Sequence, residues 1–580
     1  MQSKTLQRLL GAVRGTEPAD KIITNGRIVN VFTNKIEEGF AITVKDGYIA
    51  KVDRESRLGI AKETEVVDAQ GMYLCPGFID AHTHLDAVYP FYELVPFSLK
   101  GGTTCLVTEA GMVGTSCGKA ALESFYESTK GYPLRCYFLA PPLTPPFPDL
   151  ESAVGMTLPE FKDVLRRKDV LGIGEAYWTR VVEGDARVLA QASLALSLGK
   201  TLEGHAAGAK GSKLAQYVVT GITSDHESTT VEEAVEKLRL GLYVMIREGF
   251  VRKELGELSK LKDLDVDKSR IILVSDTFDA VMLYEEGYVD SIVRSAIEYG
   301  FPPMDAIKMA TINPANYYGL PDLGAIAPLR HADIVFLEDL SAVSVRHVMV
   351  NGEMEVVDGD FKGVARPYVY PESMRQTIKA EKVTADDFRI AAPPGKERVR
   401  VIQLVSPTIT RETEAVLNLR DGRLEPDAGR DIIPVAVINR KSGKEIGKGF
   451  ITGTGITEGA FATTLTWDTG NILTLGSSEA DMAAAVNRLI ELQGGIVISR
   501  RGEVIYEFAM PVYGLVAELE MREITQKTKE LDNRMGEIGA SISRPFLTLQ
   551  TIPFTGLPFL RITDKGLADI KNRQLVPLYL

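Results

Sequence analysis

Two histidines stand one residue apart in Phe78-Ile79-Asp80-Ala81-His82-Thr83-His84-Leu85-Asp86. Alternate residues of a strand share a face, so His82 and His84 point the same way and both imidazoles reach one metal ion. The 580 residues hold only six histidines, so each is informative. His205 closes Thr201-Leu202-Glu203-Gly204, and His226 follows Ser224-Asp225, a spacing that leaves room for one helix and loop. Glu175 ends the apolar run that starts at Val170, and Asp276 ends Ile271-Ile272-Leu273-Val274-Ser275. A carboxylate closing an apolar strand is costly unless it is paired or metal-bound. Singly, each residue has an ordinary explanation: a core histidine, a solvent-reaching glutamate, an aspartate N-cap. As an ordered series at successive strand ends they make a ligand set suited to Zn2+, Fe2+ or Mn2+. A carboxylate shared among four imidazoles would hold two such ions, which bring the pKa of bound water toward 7. Asp276 is then placed to take the proton and pass it to a leaving amine.

The elements that must carry these residues are legible as well. Between residues 76 and 321, short buried strands alternate with helical stretches such as Val231–Leu240 and Val289–Gly300. This predicts an α/β unit, a (β/α)8 TIM-like barrel, with the ligand series on its catalytic rim. Residues 1–75 and 322–370 are β-rich and carry Asn25-Gly26, Asp46-Gly47 and Asn351-Gly352, which are hairpin signals. They read as one small β-sandwich domain into which the barrel is inserted. The first residues suggest an amphipathic helix with Leu6, Leu9, Leu10 and Val13 on one face. Residues 371–397, with Pro371, Pro393 and Pro394, read as a linker, and residues 398–580 as a C-terminal α+β domain.

Composition narrows the function classes. Sixty-six basic against 78 acidic residues give a net charge of −12, which argues against a nucleic-acid partner. Four cysteines without a CxxC pair suit a reducing compartment. No apolar run approaches the roughly 20 residues needed to span a bilayer, and the N-terminus lacks a signal-peptide core. The expectation is a cytoplasmic protein that does not engage membranes. His331 and His347 lie in the β-rich segments and are assigned structural roles. Gly204-His205-Ala206-Ala207-Gly208 lacks a P-loop pattern and reads as a tight active-site turn.

With those residues in place, PGFIDAHTHLD, MATINPANYYGL and GAIAPLRHADIVFL resemble the amidohydrolase superfamily. GHAAGAKGSKLAQYVVTGITSDHESTT, AVNRLIELQGGIVI and PFLTLQTIPFTGLPFLRITDKGLADI narrow the resemblance to its bacterial and archaeal adenine deaminase family, over nearly the whole chain. The resemblance implies a binuclear site of His82, His84, Glu175, His205, His226 and Asp276. Glu175 would stand where many relatives use a carboxylated lysine, and Glu227 would be a proton donor to a ring nitrogen. It also implies a homo-oligomer and the conversion of adenine to hypoxanthine and ammonia. This sequence departs from the family pattern at three places. An Asp-Pro-His-Glu stretch is replaced by Thr108-Glu109-Ala110-Gly111. A His-Asp-Ser-His-Asn loop is replaced by Trp467-Asp468-Thr469-Gly470-Asn471. An apolar pair after Glu175 gives way to Tyr177, Trp178 and Arg180. Glu109, Trp178, Arg180, Trp467 and Asp468 are therefore expected to form a rebuilt pocket for a planar nitrogen heterocycle. Deamination of an aminopurine leads. Ring opening of a lactam or imide on the same metal site is the alternative, and a non-catalytic binding protein is a third.

Overall fold

A computed structural model describes residues 3–55, 60–442 and 445–580. Eight short parallel strands form its centre: β1 Phe78–Thr83, β2 Thr103–Glu109, β3 Arg135–Ala140, β4 Val170–Tyr177, β5 Thr201–His205, β6 Ser224–Asp225, β7 Tyr243–Arg247 and β8 Ile271–Val274. The first five make one parallel sheet in sequential order and the last three a second. Two seams join them into a barrel. At one, the Thr223 amide donates to the Leu202 carbonyl at 3.0 Å. At the other, the His84 amide donates to the Asp276 carbonyl at 2.8 Å and the Asp276 amide to the His82 carbonyl at 3.0 Å. Ile79, Ala81, Cys105, Val107, Leu139, Met245, Ile272 and Val274 fill the barrel as one apolar cluster.

Two β-bulges decide which side chains reach the rim. In β1 the pairing jumps from Asp80–Leu106 to Thr83–Thr108, so three residues oppose two. The extra residue reverses the in–out alternation. Ile79 and Ala81 fill the barrel before the bulge; His82 and His84 face inward after it. In β4 the pairing jumps from Ile173–Leu202 to Ala176–Gly204, which turns Glu175 inward. Glycines mark this second bulge, as close backbone approach requires. A Cβ on Gly174 would lie 1.9 Å from Oε2 of Glu109.

Two sheets form a sandwich around Ile23, Ile42, Leu74, Ile334, Phe336 and Met349. Sequence-remote strands meet there, with Ile334 opposite Pro76 at the point where the chain enters β1. Asp46-Gly47 and Asn351-Gly352 close hairpins. Asn25-Gly26 does not. It passes the chain from Lys21–Thr24 in one sheet to Arg27–Asn30 in the other. Gly26 is needed there for packing, since a Cβ would lie 2.4 Å from Cδ1 of Leu74.

Residues beyond 397 build an eight-stranded mixed sheet. Helix Glu479–Leu492 covers one face with Met482, Ala485, Val486 and Leu489. Helices Met521–Glu537 and Pro545–Thr551 lie on the side toward the barrel, in an apolar core continuous with it. Residues 371–397 are not a free tether: Ile378, Val383 and Phe388 are buried against helix Glu479–Leu492. The N-terminal helix forms over Ser3–Arg14, but only Leu9 of its apolar set is buried, while Leu6, Leu10 and Val13 are exposed. Among the described residues no helix is long and apolar enough to cross a membrane.

The β4 bulge gives a direct test. Gly174→Ala forces a methyl into Glu109, and overpacking of this kind costs about 1–3 kcal/mol. Denaturant unfolding should show that loss together with weakened divalent-ion binding.

Candidate active site

All six residues of the series sit at the C-terminal rim of the barrel, at or just beyond the ends of β1, β4, β5, β6 and β8. Glu175 lies at their centre. Its Oε1 is 3.3 Å from Nε2 of His82, 3.3 Å from Nε2 of His84 and 3.0 Å from Nε2 of His226. Its Oε2 is 3.2 Å from Nδ1 of His205. Asp276 Oδ1 lies 3.7 and 3.5 Å from the Nε2 atoms of His82 and His84. The ligand atoms form two groups that share Glu175: His82, His84, Glu175 and Asp276, and Glu175, His205 and His226.

The donor chemistry of this cluster fits divalent cations. Nε2 of His82, Nδ1 of His205 and Nε2 of His226 are buried without a hydrogen-bond partner among the described residues. Lone pairs aimed at carboxylate oxygens repel unless protons or cations stand between them. The protonation preferences of the bare cluster express that need. Burial opposes charge on His84 and His205, yet the carboxylates of Glu175 and, for His205, Glu227 lift both to about 9. Burial favours the neutral form of Glu175, yet His205 and His226 hold it well below the usual carboxylate range. Asp276 is also held low against its burial, by His82 and Arg247.

A second layer fixes the first. Glu203 Oε2 lies 2.8 Å from Nδ1 of His82, and both side chains are fully buried. The pair commits Nδ1–H to Glu203 and leaves Nε2 free as a ligand. Tyr318 donates to Glu203. Asp80 accepts from Ser275 and from the Tyr288 hydroxyl at 2.7 Å, tying the end of β8 to β1. Asp225, paired with Lys237, accepts from the amides of Ala206 at 2.7 Å and Glu227 at 2.8 Å, and so sets the loops that carry His205 and His226. The buried guanidinium of Arg247, at the end of β7, binds Glu227 and stands 3.4 Å from Asp276. Asp276 itself has a φ of +60°, a strained conformation held by the two seam hydrogen bonds.

Above this floor opens a cavity of about 920 Å³, lined by barrel loops and by the C-terminal domain. Glu109, Trp178, Glu227, Trp467 and Asp468 all line it. Glu109 Oε2 accepts the Glu175 amide at 2.6 Å, an amide freed by the bulge. Burial and the charge of Glu175 raise its carboxyl to about 8. Asp468 accepts from the Tyr177 hydroxyl at 3.3 Å, and burial together with Glu175 raises it to about 7. Trp178 Nε1 donates to the Ala207 carbonyl at 2.9 Å, and Trp467 Nε1 to Gln550 Oε1 at 3.2 Å. Arg180 does not belong to this wall. Helix Trp178–Val182 turns it away from Trp178 by about 200°, and it pairs with Asp185 over the ring of Phe147. His331 and His347 sit in the sandwich, against Tyr48 and Phe336.

Sequence reasoning missed Arg247 and Glu203. The signal for Arg247 was present: it closes the apolar strand Tyr243–Arg247, as Glu175 closes its own. Glu203 stands two residues before His205, and no local pattern shows that it faces His82.

Residues 73–354 match the family model described as the amidohydrolase family. With the barrel and its rim cluster, this makes the chain an amidohydrolase, a hydrolytic enzyme of a class that uses divalent metal. Residues 407–574 match the model of the adenine deaminase C-terminal domain. Adenine deaminase 1 of Carboxydothermus hydrogenoformans is 35% identical over 98% of this chain and 98% of its own. The adenine deaminases of Moorella thermoacetica and Archaeoglobus fulgidus are 35% and 34% identical, each over 99% of this chain and 98% of theirs. The chain belongs to the adenine deaminase family.

Two outcomes follow. Glu203→Gln should lower divalent-ion affinity about 10–100-fold, read by chelator competition. The metal-free protein should lose stability as the pH rises. His84 and His205 are raised from 6.5 to about 9, so their stabilisation is complete below about 6.5 and disappears as the pH passes about 9. Thermal melts from pH 6 to 10 should show this decline in the metal-free protein and a flatter profile once metal is added.

Proposed function

We propose that the chain hydrolyses the exocyclic amino group of adenine: water and adenine give hypoxanthine and ammonia. The observation that carries this is the double ligand group sharing Glu175 at the floor of a cavity walled by aromatic rings. Full-length relatives named adenine deaminase point to the same reaction.

Two divalent ions would be held, one by His82, His84, Glu175 and Asp276, the other by Glu175, His205 and His226; Mn2+, Fe2+ and Zn2+ all suit these donors. Such ions, when bound, activate water as a nucleophile near neutral pH. The remaining work falls to the chain. The Asp276 carboxylate, kept ionised beside Arg247, takes a proton from the attacking water and returns it to the departing amine. Arg247 fixes Glu227 beside His226 at the ring-facing wall. Glu109 and Asp468 stand in the cavity wall, where their carboxyl groups would hydrogen-bond the ring nitrogens. Trp178, Trp467 and Tyr177 wall the space for a flat ring and exclude water from it.

Ammonia release by the metal-loaded chain, with adenine as substrate, tests the proposal. His82→Ala and Asp276→Asn should each lower kcat by about 10²–10⁴-fold. Turnover unchanged in both variants would remove the site. Turnover of a cyclic amide without ammonia would move the chain to ring opening.

A further inference from the structure

Three consecutive barrel residues hold two segments of the C-terminal domain. They are Leu150, Glu151 and Ser152, in the stretch that follows β3. The Leu150 carbonyl accepts from Thr563 Oγ1 at 2.6 Å, and Glu151 Oε1 accepts from Thr555 Oγ1 at 2.7 Å. The Ser152 amide donates to Asp564 Oδ1 at 2.9 Å, and its carbonyl accepts from Asn471. Glu151 is buried, with the carboxyls of Asp468 and Asp564 as neighbours, a costly placement for an acid. Residues 552–559 are tied at their ends as well. The buried guanidinium of Arg561 donates to the carbonyls of Thr551 at 2.9 Å, Pro558 at 3.4 Å and Thr408 at 2.8 Å.

Between these anchors the segment lays Phe554 in the cavity wall. The Phe554 ring stands edge-on to Trp467, with centres 5.3 Å apart, and edge-on to Tyr177 at 6.2 Å. Tyr177 in turn stands edge-on to His205 at 4.9 Å. His205, Tyr177, Phe554 and Trp467 thus form one aromatic wall that rises from the floor of the cavity. The backbone folds closely over it: a Cβ on Gly556 would lie 2.2 Å from Cζ of Phe554. Aromatic packing is directional, so a ring serves such a wall only where it is held in place.

We infer that Phe554 is a substrate-binding residue, part of the face on which the purine ring packs, and that Glu151 is a positioning residue that sets Phe554 there through Thr555. The inference rests on the deaminase proposal and deepens it. The Glu151–Thr555 hydrogen bond joins the barrel that carries the floor to the segment that carries the ring.

The test is steady-state adenine kinetics of the metal-loaded full chain, with hypoxanthine binding read separately from tryptophan quenching. Trp178 and Trp467 are the chain's only tryptophans, and both line the cavity. Phe554→Leu and Thr555→Val should each raise KM for adenine and Kd for hypoxanthine about three- to tenfold. Because the ring binds ground state and transition state alike, kcat should stay within about twofold of wild type. Thr555→Ser, which keeps the hydroxyl, and Glu151→Gln, which keeps an acceptor, should stay near wild type, whereas Glu151→Ala should follow Thr555→Val. Unchanged KM and Kd in Phe554→Leu overturn the inference, and that variant leaves every anchor in place should Thr555→Val fail to fold. Thr555→Ser as impaired as Thr555→Val, or a fall in kcat with KM and Kd unmoved, also overturns it. If adenine yields no ammonia, the deaminase proposal fails, and hypoxanthine still decides the wall: weaker binding in Phe554→Leu supports it, while equal binding, or no quenching in the wild type, overturns it.

Discussion

Glu175 sets one carboxylate against four imidazoles at the mouth of a barrel, where little water reaches. Charge so confined is expensive unless neighbours neutralise and orient it. Much of the surrounding structure answers this constraint. Bulges in β1 and β4 turn the ligands inward. Glu203 fixes the ring of His82, Asp225 the loops of His205 and His226, and Arg247 the carboxylates of Glu227 and Asp276. The barrel seam closes through the backbone of His82, His84 and Asp276 themselves, so closing the fold and assembling the site are one event.

The C-terminal domain completes what the barrel leaves open. Its loop at 467–471 brings Trp467 and Asp468 over the floor, with positive φ at Asp468 and Gly470. Buried Arg440 steadies that loop: its guanidinium donates to the Gly470 carbonyl and its amide to Asn471 Oδ1. Asn471 in turn donates to the Ser152 carbonyl of the barrel at 2.9 Å. The cavity is therefore a joint product of two domains. Floor chemistry comes from the barrel, and part of the wall and rim comes from the C-terminal domain.

What the sequence made legible follows from periodicity and cost. All eight barrel strands could be read because buried parallel strands are short apolar runs, and the ligand series because charge at such ends demands a reason. Long-range partnership was harder to read. Nothing local ties Glu203 to His82 across the barrel, or aims Arg180 at Asp185 and not at the cavity. Asn25-Gly26 carries a hairpin signal but serves a change of sheet, because the identity of the paired strand is tertiary information. The prolines of 371–397 suggest a tether, whereas Ile378, Val383 and Phe388 supply an apolar face that packs. The two bulges were half visible: Gly172 and Gly174 flag the one in β4, and no glycine flags the one that aims His82 and His84.

The sharing of Glu175 between two ligand groups is tested most directly by metal stoichiometry. Elemental analysis of the wild-type chain and of Glu175→Ala, each equilibrated with Mn2+ or Zn2+ and freed of excess, should give two ions per chain falling to none or nearly none, because both groups lose their common member. Two ions retained in Glu175→Ala would contradict the account.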